Sequence, residues 1–485
     1  MKLFHRWWVV LTLIMLGTGL GAARDLYVSL NGTNNPPYTS WPGAATNIQW
    51  AVNAAAAGET VWVTNGIYNL TNRITISQAI TNRSVNGPTA TFINGNLPAY
   101  SNGCFVLQSN VYFTGFTITN GYATANSGGG IEIVAAGSNS VVSNCVIAGN
   151  YCSYAAGGGG GIGIDLSALN TIVANCIISN NHVYGGRGGG IWMRNGTIVG
   201  SLIITNTATN GGAYGGGIYM WGGTVSNCII QANITTNNGG GIYVDLGYIY
   251  NSTITQNRAA LTHIFLGGGG ITIVSGLVKD CIISSNSIEY FGGGVSTHGA
   301  ATLQNCIISG NSAIYYGGGI MIYSTDTLVQ NCLIEKNVTS DKGGGILYNV
   351  DNAIVRECTI VSNRSGSGGG IWGSAATPHS FENNIIYANT ATTESNNYWG
   401  AFIATNSCSY PLLDGTGNIT DDPKFVNKDT GNWRLSANSP CLNKGTNQSW
   451  MTTAVDLDGR MRIRYGRVDM GAYERIYEGT IYKFH

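Results

Sequence analysis

The chain has 485 residues, of which only 9% are charged, and its 23 basic and 23 acidic side chains give a formal net charge of zero. This low and balanced charge argues against nucleic acid or an anionic membrane surface as a partner. The 71 glycines follow no strict triplet period, which excludes a collagen-like chain.

The first residues, MKLFHRWWVVLTLIMLGTGLGAA, have the pattern of a secretory signal peptide. A basic start precedes an apolar run from Trp7 to about Leu20, and small residues follow at Gly21 and Ala23. This order predicts a signal peptide over residues 1–23 with cleavage after Ala23. An uncleaved anchor is the alternative, although the run is short for a membrane span. We therefore expect an exported protein, secreted, at the cell surface or in the periplasm, without stable membrane insertion.

A helix is the first element predicted beyond the signal peptide. Thr46 can N-cap a helix that runs through about Ala57, and Gly58 provides the C-terminal stop. The apolar face of this helix consists of Ile48, Val52 and Ala55. Residues 24–100 are thus predicted to form an N-terminal cap and the first coils, with the helix covering one end of the core.

Residues 101–394 contain an internal repeat with a period of mostly 24 to 31 residues. Each copy has a glycine-rich corner before an aliphatic residue, then a turn and the pattern small, any, Ile, any, any, Asn. The aligned aliphatic residues are Ile131, Ile162, Ile191, Ile218, Ile242, Ile271, Val295, Ile320, Ile346 and Ile371. The final asparagines are Asn150, Asn181, Asn206, Asn233, Asn257, Asn286, Asn311, Asn337, Asn363 and Asn389. Such a period is typical of a solenoid, whose repeats bury their apolar faces against one another.

Within each repeat the apolar residues alternate with a period of two, which indicates strands rather than helices. We predict an all-β parallel β-helix of about ten or more coils, with two or three short strands per coil and coils about 4.8 Å apart. The glycines allow positive φ and close approach of coils. The repeated asparagines are predicted to adopt left-handed conformations and to hydrogen-bond to their counterparts one coil away. The non-repetitive residues 395–485 are predicted to form an irregular C-terminal cap.

Most of the eleven cysteines share one inward position of the repeat. They are Cys145, Cys176, Cys228, Cys281, Cys306, Cys332 and Cys358, with Ser201, Ser252 and Asn384 in other coils. Parallel side chains about 4.8 Å apart do not have disulfide geometry, so we predict a ladder of buried thiols. A metal site is the disfavoured alternative, because a linear column is not tetrahedral. Outside the ladder, Cys408 and Cys441 are the pair to test for a disulfide.

Three segments resemble known proteins. The opening LYVSLNGT…IQWAVNAAAAGETVWVTNGIYN resembles the start of right-handed parallel β-helix proteins of the pectin-lyase-like superfamily. The repeats resemble the glycine-glycine-aliphatic repeats of polymorphic outer-membrane adhesins, and the ending SPCLNKG…DLDGR…VDMGAYE resembles the tail of exported choice-of-anchor Q proteins. The resemblance implies a right-handed β-helix. It implies function only broadly, since such proteins include polysaccharide lyases, hydrolases, epimerases and adhesins.

Side chains one and three residues after each aligned aliphatic residue are predicted to point outward on one face. Aromatic rings on this face would stack against sugar rings, and the resemblance implies that β-helix lyases bind glycans on the same face. The predicted glycan-binding residues are Asp165, Trp192, Arg194, Tyr219, Trp221, Tyr243, Asp245, His298 and Tyr323. The alternative is that the rings are ordinary strand residues stacked in ladders.

The candidates for catalysis are Glu132, Asp165 and Arg194. Glu132 and Asp165 lie one coil and two residues apart, about 8 Å between Cα atoms, within the range of an inverting hydrolase. Arg194 would favour the charged form of Asp165 as a base, and a surface ion pair of these two is the alternative. Asp165 and Asp245 lie three coils apart, about 14 Å, too far to share a calcium ion.

The sequence thus predicts an exported β-helix that binds an extended polysaccharide or cell-surface glycan without catalysis. No metal or cofactor is predicted, calcium lacks clustered ligands, and a monomer is expected. The first alternative is a polysaccharide lyase or glycoside hydrolase. The second is an adhesive or structural surface scaffold.

Overall fold

The computed structural model describes residues 23–97, 103–125, 127–154, 157–260, 267–350, 353–374, 379–464 and 466–475. The predicted signal peptide, apart from Ala23, lies outside these residues.

Short parallel strands stack coil upon coil into four columns, here named sheets 1 to 4 in the order in which a coil passes through them. Strands pair in register with their counterparts in the next coil, as Ile162–Ile164 does with Ile191–Met193. Two nine-residue strands, Ile242–Tyr250 and Ile271–Lys279, belong to both sheet 1 and sheet 2 and join them. The sequence predicts two or three strands per coil, whereas most coils have four, because the strands of sheet 4 are too short to show a period.

Besides the two shared strands, sheet 1 contains Ile74–Ile76, Phe105–Leu107, Ile131–Ile133, Ile162–Ile164, Ile191–Met193, Ile218–Met220, Val295–Thr297, Ile320–Ile322, Ile346–Tyr348, Ile371–Gly373 and Tyr398–Trp399. Sheet 2 contains Asp25–Val28, Thr60–Val63, Thr81–Ser84, Tyr112–Thr114, Val141–Ser143, Ile172–Ala174, Thr197–Val199, Thr224–Ser226, Ala301–Gln304, Leu328–Gln330, Ile354–Arg356, His379–Glu382, Phe402–Thr405 and Asp414–Thr416. Sheet 3 contains Gly66–Asn69, Thr91–Asn94, Thr117–Thr119, Val146–Ala148, Ile177–Ser179, Leu202–Ile204, Ile229–Gln231, Thr253–Thr255, Ile282–Ser284, Ile307–Ser309, Leu333–Glu335, Thr359–Val361, Ile385–Tyr387 and Cys408–Ser409. Sheet 4 contains Tyr122–Ala123, Tyr151–Cys152, His182–Tyr184, Thr207–Thr209, Ile234–Thr235, Arg258–Ala259, Ser287–Ile288, Ser312–Ala313, Val338–Thr339, Arg364–Ser367 and Thr390–Glu394.

The architecture is therefore the predicted parallel β-helix, with one apolar core along its length. In each coil the aligned aliphatic residue and the residue two positions later point inward, as Ile191 and Met193 do, and both are buried. The residue between them points outward. Stacking of identical inward positions builds the continuous core that a single coil could not form.

The three glycines at the corner have different roles, as the coil at 188–190 illustrates. Gly188 has a φ of +69°, in the left-handed region that side chains disfavour. A Cβ on Gly189 would lie 2.2 Å from the carbonyl oxygen of Gly216, and one on Gly190 would lie 3.0 Å from Cγ of Asn206. The first glycine thus permits the turn, whereas the other two permit the close approach of the next coil and of the buried asparagine.

The repeated asparagines form a buried hydrogen-bonded ladder, as predicted. In the middle of the ladder, Nδ2 of Asn257 donates to Oδ1 of Asn286 at 3.0 Å and to the carbonyl oxygen of Ile230 at 2.9 Å. The prediction that these asparagines adopt left-handed conformations is wrong. The positive φ falls on the preceding residue, for example 58° at Gln256, because the chain turns before the asparagine enters the core.

All eleven cysteines are free and buried. The seven in the ladder stack as predicted, and Cys306 illustrates their bonding, since its Sγ donates to the carbonyl oxygen of Gln304 at 3.2 Å. Cys408 and Cys441 pack in one apolar cluster beneath the C-terminal cap, where both are present as thiols.

The predicted N-terminal helix is present but shorter, spanning Ile48–Ala54. Its N-cap is Asn47, whose Oδ1 accepts from the amide of Gln49 at 2.8 Å, and not Thr46, whose hydroxyl donates to Asn34. The buried face of the helix covers the end of the core as predicted. No helix within the described ranges is both long and apolar enough to cross a membrane.

The C-terminal cap folds back over the outward face of sheet 3. Its antiparallel strands Phe425–Asn427 and Asn432–Leu435 pack with Leu333 and Ile385 in an apolar cluster separate from the core. The indole of Trp433 donates to Oε2 of Glu335 at 2.6 Å. The cap thus covers the last coils from the side.

Beneath the cap lies a cluster of buried acids around Arg462, whose side chain is fully buried and pairs with Glu474 at 3.3 Å. Burial raises the pKa of Glu474 to about 8 and that of Glu357 to about 7, although Arg462 opposes both shifts. Burial also raises the pKa values of Asp456 and Asp469. Each raised pKa means that the folded state binds a proton more readily than the unfolded chain.

We therefore expect stability contributed by Glu357 to be complete below about pH 4.5 and to fall as the pH rises through about 7. Replacing Glu357 by glutamine removes this titration. At pH 8 the free energy of unfolding of the variant should therefore be higher than that of the wild type by on the order of 2 kcal/mol. Denaturant unfolding at pH 5 and pH 8 measures the difference. A wild type and variant with the same pH dependence would contradict the assignment.

Candidate functional site

The outward face of sheet 1 is the floor of a long groove, here named the sheet 1 groove. One wall is formed by residues just before the glycine corners, and the other by residues three positions after each aligned aliphatic residue. The floor consists of Glu132, Gly163, Trp192, Tyr219, Tyr243, Thr272, Ser296, Met321, Leu347 and Trp372. The walls consist of Tyr154, Arg187, Tyr214, Phe291, Tyr316 and Lys342 on one side and Asp165, Arg194, Trp221, Asp245, His298, Tyr323 and Asn349 on the other.

All nine predicted glycan-binding residues lie in this groove. They are not all exposed, however, as the side chains of an open platform would be. Trp192 and Tyr219 on the floor are only 5% and 2% exposed, whereas Trp221 on the wall is 48% exposed. The loops before the glycines rise beside the strands and cover the floor. The alternation of the strands predicts which side chains face outward, but it contains no information on the height of these loops.

The three catalytic candidates meet at one end of the groove. Glu132, Asp165 and Arg194 line one cavity of about 180 Å³ together with Trp192 and Tyr154. The one-coil offset of their strands brings the three side chains together.

The contacts within this cavity differ from those predicted. Glu132 forms an ion pair with Arg73, two coils away, at 2.5 Å. Asp165 and Arg194 form no ion pair in the part of the chain that the structure describes, and Asp165 instead accepts from the amide of Leu166 at 2.7 Å. The guanidinium of Arg194 lies over the rings of Trp192 and Trp221, 5.1 Å and 5.6 Å from their centroids. The nearby indole rings hold this guanidinium away from the carboxylate.

A hydrogen-bonded network of tyrosines occupies the next two coils. The hydroxyl of Tyr219 donates to Asp245 and accepts from Nη1 of Arg187 at 3.0 Å. The rings of Tyr219 and Tyr243 stack with centroids 5.4 Å apart, and Tyr214 packs against Tyr243 at 4.9 Å. Burial raises the pKa of Tyr243 to about 12, and burial with the Asp245 carboxylate raises the pKa of Tyr219 as well. Both phenols thus stay neutral near pH 7. Arg187, which holds the hydroxyl of Tyr219, is a site residue that the sequence did not predict.

The far end of the groove is more apolar. His298 stacks on Tyr323 with ring centroids 5.4 Å apart, and its Nε2 lies 2.9 Å from the hydroxyl of Ser296. Beyond it, Phe291 and its neighbours enclose a second cavity of about 250 Å³. Trp192 and Tyr323 are five coils apart in the register of sheet 1, which corresponds to about 24 Å. The groove is therefore elongated, and its chemistry changes from polar to apolar along its length.

Within the described ranges, no group of three or more His, Cys, Asp or Glu side chains could hold a metal ion. The carboxylates of the groove lie in different coils, and each has its own partner in Arg73, Leu166 or Tyr219. The groove consequently offers hydrogen-bonding groups and aromatic rings rather than a ligand cage.

Comparison with protein families adds the handedness of the coils. Residues 247–416 match the family model described as "Right handed beta helix region". The fold is a right-handed parallel β-helix. No curated protein matches this β-helix.

Two solved structures are similar to the β-helix in fold. A pectate lyase, Pel9A, is 15% identical, with 94% of this chain and 98% of that chain covered at a TM-score of 0.38. The catalytic unit of a thermostable GH87 alpha-1,3-glucanase from Streptomyces thermodiastaticus strain HF3-3 is also 15% identical, with 84% and 71% covered at a TM-score of 0.35.

Proposed function

We propose that the protein is an exported β-helix that binds an extended polysaccharide in the sheet 1 groove without cleaving it. The observation that carries this proposal is the line of aromatic rings over several consecutive coils. The hydroxyl of one of these rings, Tyr219, also belongs to a hydrogen-bonding network with Arg187 and Asp245. Sugar rings present apolar faces and hydroxyl edges, so a chain of them suits a surface that alternates stacking rings with donors and acceptors.

The groove also suits a polymer better than a single small sugar. Its rings extend over about 24 Å, several times the length of one sugar, at the coil spacing of about 4.8 Å. Trp221 and Arg194 lie beside each other on the wall, where the exposed indole can contact a passing chain. Among the residues that the structure describes, no carboxylate pairs with the guanidinium of Arg194, which can therefore contact the chain as well. We expect these two side chains to contribute most to binding, because Trp221 is the most exposed ring of the groove and Arg194 lies next to it, whereas Trp192 and Tyr219 on the floor are almost completely buried.

The test compares two exposed rings on different faces. Trp221 in the groove and Tyr248 on the outward face of sheet 2 are both 48% exposed. Replacing Trp221 by alanine should weaken retention in polysaccharide-containing gels about tenfold, since a stacked ring contributes about 1 to 2 kcal/mol. Tyr248→Ala should bind like the wild type. Equal retention of both variants would contradict the proposal, and circular dichroism confirms that each is folded.

The second candidate function is hydrolysis or lysis of a polysaccharide, favoured by the single cavity that contains Glu132, Asp165 and Arg194. The ion pair with Arg73 argues against it, because Glu132 would have to exchange this partner for the substrate. Reducing-sugar release and the ultraviolet absorbance of unsaturated ends, measured on the same polysaccharides, distinguish cleavage from binding. Products that disappear in Glu132→Gln would favour the enzyme.

A further inference from the structure

The second cavity of the groove has a composition unlike that of the first. Its sides are the rings of Phe291, Tyr316, Tyr323 and Trp372. Phe291 stacks on Tyr316 at 5.3 Å and meets Tyr323 edge-on at 6.3 Å, while Trp372 stacks on Trp399 at 4.9 Å. Because each ring is held by another ring, the cavity is already formed in the free protein.

The floor of this cavity is apolar as well. Met321 and Leu347 are almost completely buried and form one cluster with Phe291. The volume of about 250 Å³ exceeds the roughly 150 Å³ that suffices for benzene in an engineered protein cavity. The aromatic side chains present ring faces to a flat ligand, while Lys342 and the exposed Asn349 supply polar groups at the edge. The cavity therefore suits a flat apolar ring with a short substituent.

Lys342 adds a positive charge at the rim. Its ammonium lies 4.6 Å from the ring centroid of Trp372 and 5.7 Å from that of Tyr316. Among the described residues, no carboxylate forms an ion pair with Lys342. Burial raises the pKa of the Tyr316 phenol, and the carboxylate of the neighbouring Asp341 adds to this shift. A ligand anion next to the apolar ring would complete this arrangement.

We propose that the cavity binds a small aromatic carboxylate. The ring lies between Phe291, Tyr323 and Trp372, and the carboxylate accepts a hydrogen bond from Nζ of Lys342. The amide of Asn349, which also lines the cavity, is available to the second carboxylate oxygen. This proposal does not rest on the polysaccharide, because the ligand is a free small molecule and its cavity lies several coils beyond Trp221, sharing only Tyr323 with the predicted glycan-binding residues.

Calorimetric titration of the full chain with 4-hydroxycinnamate tests the proposal. The wild type should bind it, and Lys342→Gln should weaken binding about tenfold, the usual effect of one charge-assisted hydrogen bond. Leu347→Trp should abolish binding by filling the cavity. Lys444→Gln is the matched control, because this lysine is exposed in the C-terminal cap. Benzyl alcohol, which lacks the charge, should bind more weakly than the acid.

Failure of 4-hydroxycinnamate to bind the folded wild type would overturn the proposal, and so would equal affinity in Lys342→Gln. Benzyl alcohol binding as tightly as the acid would also overturn it, since the charge of Lys342 would then have no role. Retention by polysaccharide gels is measured separately on the same variants. If the aromatic acid does not bind but the gels still retain the protein, the proposed function stands and the cavity proposal fails. If the acid binds but the gels do not retain the protein, the cavity proposal stands and the proposed function fails.

Discussion

Replacing Asn257 by leucine is expected to lower the free energy of unfolding by about 3 to 5 kcal/mol. Oδ1 of Asn257 accepts from both the backbone amide and Nδ2 of Asn233, each at 3.0 Å. Its own Nδ2 donates to Ile230 and Asn286. Leucine has a similar volume but leaves two buried donors and two buried acceptors with fewer bonds, and the stacked coils leave little room for water to replace them.

Denaturant unfolding followed by circular dichroism measures this effect, with Asn227→Gly as the matched control. Asn227 is an exposed corner residue with a φ of 53°, a conformation that glycine adopts readily, so its replacement should change stability little. Because unfolding of a repeat protein can proceed in parts, hydrogen exchange should show the loss centred on the coils next to Asn257. A leucine variant as stable as the control would show that the ladder contributes no stability.

Replacing Arg462 by methionine is expected to release the C-terminal cap and to cost about 3 to 5 kcal/mol, the usual effect of removing one partner of a buried ion pair. Nη1 of Arg462 donates to Oδ1 of Asn331 at 3.2 Å and to the carbonyl oxygen of Gly471 at 3.0 Å. Without the guanidinium, Glu474 and Glu357 lose their main cationic neighbour. The pKa values of both acids should rise further, and the loss should be greater at pH 8 than at pH 5.

Limited proteolysis and denaturant unfolding at the two pH values measure this loss. Arg464→Met is the control, because Arg464 is exposed two residues away in the same segment. Release of the cap would expose Leu333 and Ile385, which binding of a hydrophobic dye detects. An Arg462→Met variant with the protease resistance of Arg464→Met would contradict the role assigned to the buried cluster.

The sequence predicts the fold well because the fold repeats. Ile191 and its counterparts recur at one position of every coil, and the asparagines at another, so ten weak local signals support one another. The strands of sheet 4 were missed because two residues, as in Tyr151–Cys152, cannot show an alternation. The start of the helix was missed by one residue because Thr46 and Asn47 are both good N-caps, and the bond of Thr46 to Asn34 decides between them.

The site was predicted only as far as strand register reaches. Register places Glu132, Asp165 and Trp192 in neighbouring coils, and the structure brings them together. Arg73 is 59 residues from Glu132, and Arg187 lies in a loop of irregular length, so no repeat position identifies either as a partner. The burial of the floor depends on these loops as well. The alternation of the sequence therefore predicts which side chains lie on the outward face of sheet 1, whereas the contacts of these side chains depend on the loops.

Hydroxyl-radical footprinting of the wild type with a bound polysaccharide tests the central claim most directly, because it compares two rings in one sample. Trp221 and Tyr248 are equally exposed in the free protein, on the groove and on sheet 2 respectively. We predict that a polysaccharide retained by the protein lowers the oxidation of Trp221 and leaves that of Tyr248 unchanged. Protection of Tyr248 with Trp221 still oxidised at its free rate would place the ligand on another face and contradict the account.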